Sequence, residues 1–249
     1  MKRLMLAISF LTVFPFKKAI GLTEEDLAGS MAYFPLVGAM QGLMLLAVDY
    51  AFSRVLSHEI SSVMVIAALI LSNNGLHVDG FADTVDGIAG GATKEERLRI
   101  MRDSSVGAIG VAFTVLLLLV KFLALKGLPT EVRWQAIFLF PVFGRWAMVE
   151  ASCLAGYARE EGVGRAFSRN SPATLLWATI FTTGLGLLLL EWKVFIMGIA
   201  AIAVSAYLLA LFFKKKIGGV TGDVYGFMNE FSEALFLLII LASGLRSEG

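Results

Sequence analysis

Residues 194–213 read VFIMGIAAIAVSAYLLALFF, a run of twenty residues without a single Asp, Glu, Lys or Arg. A bilayer core of roughly 30 Å requires about 20 mostly apolar residues in an α-helix, so this run predicts a membrane-spanning helix. Similar uncharged runs occur at residues 31–48, 60–78, 104–120 and 170–190. Two further apolar stretches, 134–157 and 224–245, contain charged residues and complete a set of about seven spans.

The composition agrees with a membrane protein. Of the 249 residues, 57% are apolar and 16% are charged, whereas about a quarter of the residues in soluble domains are charged. The formal net charge of +1 lacks the basic excess of nucleic-acid-binding proteins, so we expect no nucleic-acid partner. The single cysteine, Cys153, excludes an intrachain disulfide. The sequence therefore predicts an all-α, polytopic integral membrane helical bundle that forms a single domain over residues 1–249.

The connections between the spans predict the orientation. The N-terminal segment 4–16 is too short to cross the bilayer, and we expect it to lie at the interface. Most of the 21 Lys and Arg residues fall on one side, which includes the long connections 79–103 and 157–170. Because positive residues are retained in the cytoplasm, the pattern predicts a multi-pass membrane protein with these connections facing the cytoplasm.

Three aspartates follow the second predicted span, in the stretch GLHVDGFADTVDGIAGG at residues 75–91. Asp79, Asp83 and Asp86 are spaced i, i+4 and i+7, which places them on one face of a helix. Carboxylates this close repel one another unless a hard cation such as Mg²⁺ or Mn²⁺ neutralises them. The alternative is a solvated acidic loop with glycine turns. His77 could donate or accept a proton nearby, or be a structural histidine.

Arginines and hydroxyl groups occur on the same predicted side. Arg102 and Ser104 could contact phosphate oxygens, although the alternative is a membrane-interface anchor in which Asp103 caps a helix. Arg159 and Arg165 lie in the loop after the fourth predicted span and could bind phosphate bidentately. A loop on the positive side contains arginines in any case, so the second pair is the weaker signal.

Charged residues inside the spans require a partner or a polar cavity. Arg145 lies within the fourth span and could face such a cavity or pair with Glu150. Asp223, Glu230 and Glu233 form one polar stripe on the last span, which indicates a pocket, a proton relay or a second set of metal ligands. The dipole of a helix N-terminus would explain the first of these acids but not the last.

Four stretches together resemble the cobalamin synthase family, the adenosylcobinamide-GDP ribazoletransferases. They are GLHVDGFADTVDGIAGG (75–91), RIMRDSSVGAIG (99–110), YAREEGVG (157–164) and GGVTGDVYGFMNE (218–230). The resemblance extends over nearly the whole chain, including AISFLTVFPF (7–16) and FPLVGAMQG (34–42). The departures are small: Arg102 stands where lysine is expected, and Ala155-Gly156 where a proline often precedes the tyrosine.

The resemblance implies an inner-membrane enzyme that joins adenosylcobinamide-GDP to α-ribazole or its 5′-phosphate, with Mg²⁺ and release of GMP. The bilayer would surround the protein, the active site would face the cytoplasm, and whether the chain forms a homo-oligomer stays open. Together with the residue patterns, it predicts Mg²⁺ ligation by Asp79, Asp83 and Asp86 and catalytic roles for His77, Asp103 and Glu230. The predicted substrate contacts are Arg102, Ser104, Arg145, Arg159, Arg165, Asp223, Asn229 and Glu233.

Two other functions fit part of the pattern. CDP-alcohol phosphatidyltransferases also use an Asp-Gly…Ala motif with a divalent metal at a membrane surface. Here Asp83 stands where an arginine follows the alanine in that family, and the later aspartates are spaced differently. A cation transporter would place its ionisable groups near the middle of the membrane in broken helices, whereas most acids of this chain cluster at one interface.

Overall fold

The computed structural model describes residues 2–14, 23–103, 105–159, 164–167 and 171–244. These residues form twelve α-helices and one 3-10 turn, Met31–Tyr33, without any β-strand. The helices are α1 (Lys2–Leu11), α2 (Glu24–Ser30), α3 (Phe34–Ser53), α4 (His58–Ser72), α5 (Leu76–Gly90), α6 (Lys94–Ile100), α7 (Ala108–Gly127), α8 (Thr130–Leu154), α9 (Gly164–Phe167), α10 (Pro172–Leu189), α11 (Trp192–Ile217) and α12 (Gly222–Gly244).

Six helical stretches in the described residues are long and apolar enough to cross a membrane. They are Glu24–Ser53, which runs from α2 through α3, and the helices α7, α8, α10, α11 and α12. The bent pair of α4 and α5 passes the same test and gives a seventh span. The prediction of an all-α polytopic membrane bundle with about seven spans is therefore confirmed. Helix α1, with ten residues, is too short to cross.

The second predicted span is broken rather than continuous. Helix α4 ends at Ser72, and α5 leaves it at an angle of 88°. The break contains Asn74 with φ 52° and Gly75 with φ 72°, a left-handed conformation that Asn and Gly adopt most readily. The predicted connection 79–103 is accordingly not a loop, because α5 and α6 occupy most of it.

Helix α8 lies at the centre of the bundle and contacts α3, α10, α11 and α12. Its closest approach is to α3, where a Cβ added at Gly38 would lie 2.7 Å from the Pro141 carbonyl oxygen. Small residues permit this close contact between helix backbones in membranes. Because α8 is almost entirely buried, each of its polar side chains requires a partner inside the protein.

One end of the bundle gathers the termini of several helices. The Arg97 side chain on α6 donates a hydrogen bond to the Lys216 carbonyl near the end of α11, at 3.2 Å. The segment that follows α8 pairs with the segment that precedes α12 through the Ala158 amide and the Val220 carbonyl, at 2.9 Å. We call this end, where α8 and α11 end and α7 and α12 begin, the aspartate end because α5 crosses it.

The opposite end is tied together by Arg133, near the start of α8. Its Nη2 lies 2.7 Å from the Asp49 carboxylate on α3 and 3.2 Å from the Ser62 hydroxyl on α4. Its Nη1 donates to the Leu125 carbonyl in the last turns of α7, at 2.6 Å. One guanidinium therefore joins four helices, and its buried charge is neutralised by a carboxylate.

Candidate active site

Close helix crossings position the aspartate-bearing helix α5 against α12. A Cβ added at Gly80 would lie 2.8 Å from the Asp223 carbonyl oxygen, and one at Gly226 would lie 2.8 Å from the His77 carbonyl oxygen. Only glycine leaves room for two backbones at this distance. The crossing brings the first turn of α12, and with it Asp223, beside the aspartates of α5.

Asp86 fixes α5 to the start of α7. Its two carboxylate oxygens accept hydrogen bonds from the backbone amides of Gly107 and Gly110, each at 2.8 Å. The first amides of a helix have no partner within the helix, and a negative charge is favourable beside them. The sequence predicted that Asp86 binds a metal ion. In the structure both of its oxygens cap α7, and a metal role for Asp86 stays a prediction.

Asp79, Asp83 and Asp223 form a group that we call the carboxylate cluster. The Asp83 carboxylate interacts electrostatically with the other two, with Asp86 and with the Arg159 guanidinium. Asp79 is exposed, and the other two are partly buried. Within the described residues no hydrogen bond reaches the carboxylate of Asp79 or Asp83, whereas Asp223 lies 2.7 Å from Nη2 of Arg159. The cluster thus contains more negative charge than its one arginine neutralises.

A short parallel bridge holds Arg159 in this position. The Val220 amide donates to the Gly156 carbonyl at 2.8 Å, and the Ala158 amide donates to the Val220 carbonyl at 2.9 Å. The guanidinium that follows this bridge reaches Asp223. Its Nε–H is buried and has no partner among the described residues, so part of the Arg159 donor set remains for an anion.

The other predicted phosphate-binding residues are distributed unevenly. Arg102 and Arg159 both interact electrostatically with the Tyr157 side chain, so these two arginines lie on the same part of the aspartate end. Burial raises the pKa of the Tyr157 hydroxyl, which therefore stays protonated and can donate a hydrogen bond. Arg165 is exposed on the four-residue helix α9, which packs mainly against α2. Ser104 lies outside the described residues.

Asp103, for which the sequence predicts a catalytic role, is hydrogen-bonded to a residue close to it in the chain. Its carboxylate accepts hydrogen bonds from the Ser105 hydroxyl at 2.6 Å and from the Ser105 amide at 3.0 Å. These bonds hold the pKa of Asp103 below its usual value, which makes it a weaker base. Asp103 lines a cavity of about 450 Å³ together with Asp86 and Arg99. It therefore lies on the α7 side of α5.

Five buried side chains between α7, α8 and α12 form what we call the buried ion network. Lys121 Nζ lies 2.6 Å from the Glu230 carboxylate and 2.5 Å from the Glu233 carboxylate. Arg145 hydrogen-bonds to Asn229 and lies 3.4 Å from Glu233. All five are at most 2% exposed. Two cations face two carboxylates, so the network is neutral as a whole.

This network changes the interpretation of four predicted site residues. Arg145, Asn229, Glu230 and Glu233 contact one another and Lys121, although the sequence predicted substrate contacts or catalysis for them. The ion-pair partner of Arg145 is Glu233 rather than Glu150. The stripe on α12 therefore divides, with Asp223 at the carboxylate cluster and the two glutamates inside the bundle.

His77 belongs to the interior rather than to the carboxylate cluster. Its side chain is only 1% exposed, and the charges acting on it are those of Arg145 and Lys121. Residues two apart on a helix point to nearly opposite sides, which explains why Asp79 is exposed while His77 is not. Its Nε2 has no partner among the described residues. The predicted role as an acid or base at the aspartates is not supported by this placement.

Sequence reasoning missed two residues of the interior. They are Lys121, which directly follows the predicted span 104–120, and Gln41, which accepts a hydrogen bond from Arg145 at 2.8 Å. The sequence does contain a signal for the role of Lys121. A buried lysine in an apolar span requires a carboxylate partner, and the only span with two acids deep inside it is the last.

The carboxylate cluster suits a divalent cation only in part. Within the described residues no group of three or more His, Cys, Asp or Glu could hold a metal ion. Asp79 and Asp83 nevertheless supply hard oxygen ligands that lack hydrogen-bond partners in that part of the chain. Mg²⁺ is commonly held by one or two carboxylates together with waters and substrate phosphates. The donor set therefore fits an ion that is shared with a phosphorylated substrate.

Known proteins match the chain over nearly its whole length. The model of the cobalamin-5-phosphate synthase family matches residues 3–241. A relative from Geotalea daltonii is 36% identical over 244 residues, covering 96% of this chain and 97% of the relative. Relatives from Desulforamulus reducens (36% identity; 96% of this chain, 95% of the relative) and Acetivibrio thermocellus (33%; 96% and 97%) match similarly.

All three relatives are named adenosylcobinamide-GDP ribazoletransferase. No solved structure matches the chain. The family model and these relatives confirm the resemblance that the four sequence motifs indicated. The chain therefore belongs to the cobalamin-5-phosphate synthase family.

Proposed function

We propose that this chain joins adenosylcobinamide-GDP to α-ribazole or its 5′-phosphate and releases GMP. A ribose hydroxyl oxygen of the acceptor forms a bond to the phosphorus that carries the corrinoid. The bond from that phosphorus to the bridging oxygen breaks, and GMP leaves with the electron pair. The hydroxyl proton passes to a base. The names of the full-length relatives support these substrates.

The observation that carries the proposal is the carboxylate cluster and its arginine at one end of a membrane bundle. Attack on a diphosphate requires that the attacking hydroxyl oxygen and the leaving bridging oxygen are positioned on the phosphorus. It also requires that the negative charge on the phosphates is neutralised. Arg159 supplies positive charge beside the cluster, and Arg102 lies near the Tyr157 side chain on the same part of the aspartate end. The partly unsatisfied guanidinium of Arg159 is placed to contact a phosphate oxygen.

Asp79 and Asp83 would hold Mg²⁺, with phosphate oxygens of the donor completing the ligand set. A bound Mg²⁺ supplies neutralisation of the negative charge that develops on the diphosphate. Asp86, the third predicted ligand, already accepts a backbone amide hydrogen bond on each oxygen, so the two carboxylates without hydrogen bonds are the stronger candidates. The base is a carboxylate of the cluster rather than His77, because His77 is buried on the interior side of α5.

A reaction assay tests the proposal directly. The purified protein in lipid nanodiscs is incubated with adenosylcobinamide-GDP, α-ribazole and Mg²⁺, and both GMP and the joined corrinoid are quantified by mass spectrometry. We expect one GMP for each product molecule, loss of both with chelator and recovery on adding Mg²⁺. Turnover of a CDP-activated lipid instead, or cation flux in liposomes without GMP release, would show that the proposal is wrong.

We further propose that the aspartate end faces the cytoplasm in the cell inner membrane. The excess of Lys and Arg in the connections of this end supports the orientation. Ser105 is exposed there, so a Ser105→Cys change in a Cys153→Ser background provides a single reporter thiol. An impermeant maleimide is expected to label it in inside-out vesicles and not in intact cells. Labelling in intact cells would reverse the orientation.

A further inference from the structure

A cavity of about 770 Å³ opens at the break between α4 and α5, directly beside the carboxylate cluster. Its walls come from the end of α1, the break itself, the first turns of α5 and the first half of α7. Irregular backbone at membrane depth is tolerated where it lines a cavity or is covered by protein. The left-handed backbone at Asn74 and Gly75 separates the two helices and leaves this space between them.

Two residues that line this cavity each have a buried polar atom without a partner among the described residues. Asn73 is 5% exposed and lines the cavity, and its Oδ1 accepts no hydrogen bond within the described residues. Thr114 on α7 also lines the cavity, and its buried Oγ1 is likewise unsatisfied in that part of the chain. Buried polar atoms are nearly always hydrogen-bonded in native proteins. The residues that line the cavity therefore include one hydrogen-bond acceptor and one hydroxyl group whose bonding capacity is unused within the described residues.

The remaining lining restricts the charge and shape of that molecule. Most of the wall is apolar, with Phe10, Ile70 and Val115 among its residues, and Asp79 is the single charged residue that the described part of the chain places in it. Among those described residues no lysine or arginine lines the cavity, and its carboxylate would repel a phosphate or diphosphate group. The cavity has the size of a small-molecule site. It therefore favours an uncharged, largely apolar group with a few polar atoms.

We propose that this cavity binds the aromatic base of the acceptor nucleoside and directs its ribose toward Asp79. The assignment rests on the proposed function. The dimethylbenzimidazole of α-ribazole is flat and apolar, with one ring nitrogen that can accept a hydrogen bond from the Thr114 hydroxyl. A ribose hydroxyl can donate to Oδ1 of Asn73. Asp79 lies both in this cavity and in the carboxylate cluster, so the ribose would reach the diphosphate from this side.

Binding of α-ribazole alone provides a test that is independent of turnover. Labelled nucleoside is dialysed to equilibrium against the protein in nanodiscs, without the corrinoid donor. Loss of one neutral hydrogen bond in Thr114→Val or Asn73→Ala should weaken binding about three- to tenfold. Val115→Phe, which fills the cavity, should weaken it by at least about tenfold. The matched controls, Thr182→Val on α10 and Leu119→Phe on α7, alter residues outside the cavity and should bind normally.

Steady-state kinetics separates the two substrates. The cavity variants should raise KM for α-ribazole while KM for adenosylcobinamide-GDP remains within about twofold, a change that lies in the range of ordinary surface substitutions. Unchanged nucleoside binding in Val115→Phe, or a raised KM for the donor instead of the acceptor, would overturn the assignment. A wild-type protein that binds α-ribazole but never releases GMP would support the cavity and refute the proposed function.

Discussion

Replacing Lys121 by methionine tests whether the glutamates of α12 are structural. Among the described residues, Lys121 is the only cation in contact with Glu230, at 2.6 Å, and it also contacts Glu233 at 2.5 Å. Without it, Glu230 retains only a 3.3 Å hydrogen bond from the Asn229 side chain. Arg145 alone then faces two carboxylates that are at most 2% exposed.

The magnitude follows from burial. Removing one partner of a buried ion pair costs about 3–5 kcal/mol, because the other charge stays buried without compensation. For a chain of this size that corresponds to a fall in melting temperature of roughly 6–20 °C. Lys126→Met is the matched control on the same helix, since Lys126 lies 3.5 Å from Glu59 and both side chains are about half exposed. An exposed pair contributes about 0–1 kcal/mol.

The assay combines thermal unfolding in nanodiscs with the rate of GMP release at a temperature where all variants are folded. The double variant Lys121→Met/Glu230→Gln restores the balance of one cation and one carboxylate, so it should recover at least about 2 kcal/mol relative to the sum of the single changes. It should also retain transfer activity. Additive destabilisation would refute the structural ion pair. A folded double variant without activity would show that one of the two changed residues takes part in catalysis.

Three further results are expected. Gly110→Ala should lower transfer activity at least about tenfold, because the new Cβ would lie 2.8 Å from the Ala82 carbonyl oxygen and displace α5. Gly184→Ala is the control and should leave activity unchanged, because its new Cβ would have no atom within 4 Å. Asp49→Asn should lower the free energy of unfolding by about 3 kcal/mol, because it leaves the buried Arg133 without its carboxylate; the rate per folded molecule should not change. Asp83→Asn should abolish GMP release and remove the protection against thermal unfolding that Mg²⁺ with donor gives to the wild type.

The membrane architecture could be predicted from the sequence because an uncharged run of about 20 residues has one dominant solution in a bilayer. The break at residues 73–75 was not predicted. The apolar residues Leu76 and Val78 continue the run, and the only local signal was the Asn-Asn-Gly sequence that permits left-handed backbone. The turn of 88° that moves α5 across the bundle follows from this local feature.

The candidate site was predictable in its residue types but not in its pairings. Helical spacing correctly places the three aspartates along one helix, yet it gives them equal roles. Asp86 differs from Asp79 only because α7 begins beside it, with two amides that require acceptors. Likewise Glu230 finds its cation 109 residues earlier in the chain. Such pairings arise from the packing of separate helices, and the spacing of residues along a single helix does not predict them.

The acidic residues near α5 differ in which groups neutralise their charge. This difference distinguishes the structural acids from those that are available for catalysis. A carboxylate that already has a cation or amides beside it gains little from an added metal ion or from taking up a proton. The glutamates of α12 have Lys121, and Asp223 has Arg159. Asp79 and Asp83 have no hydrogen bond or close ion pair among the described residues, and uncompensated charge is tolerable only near water. Their position at the aspartate end, rather than inside the bundle, is what leaves them available to a cation and a substrate hydroxyl.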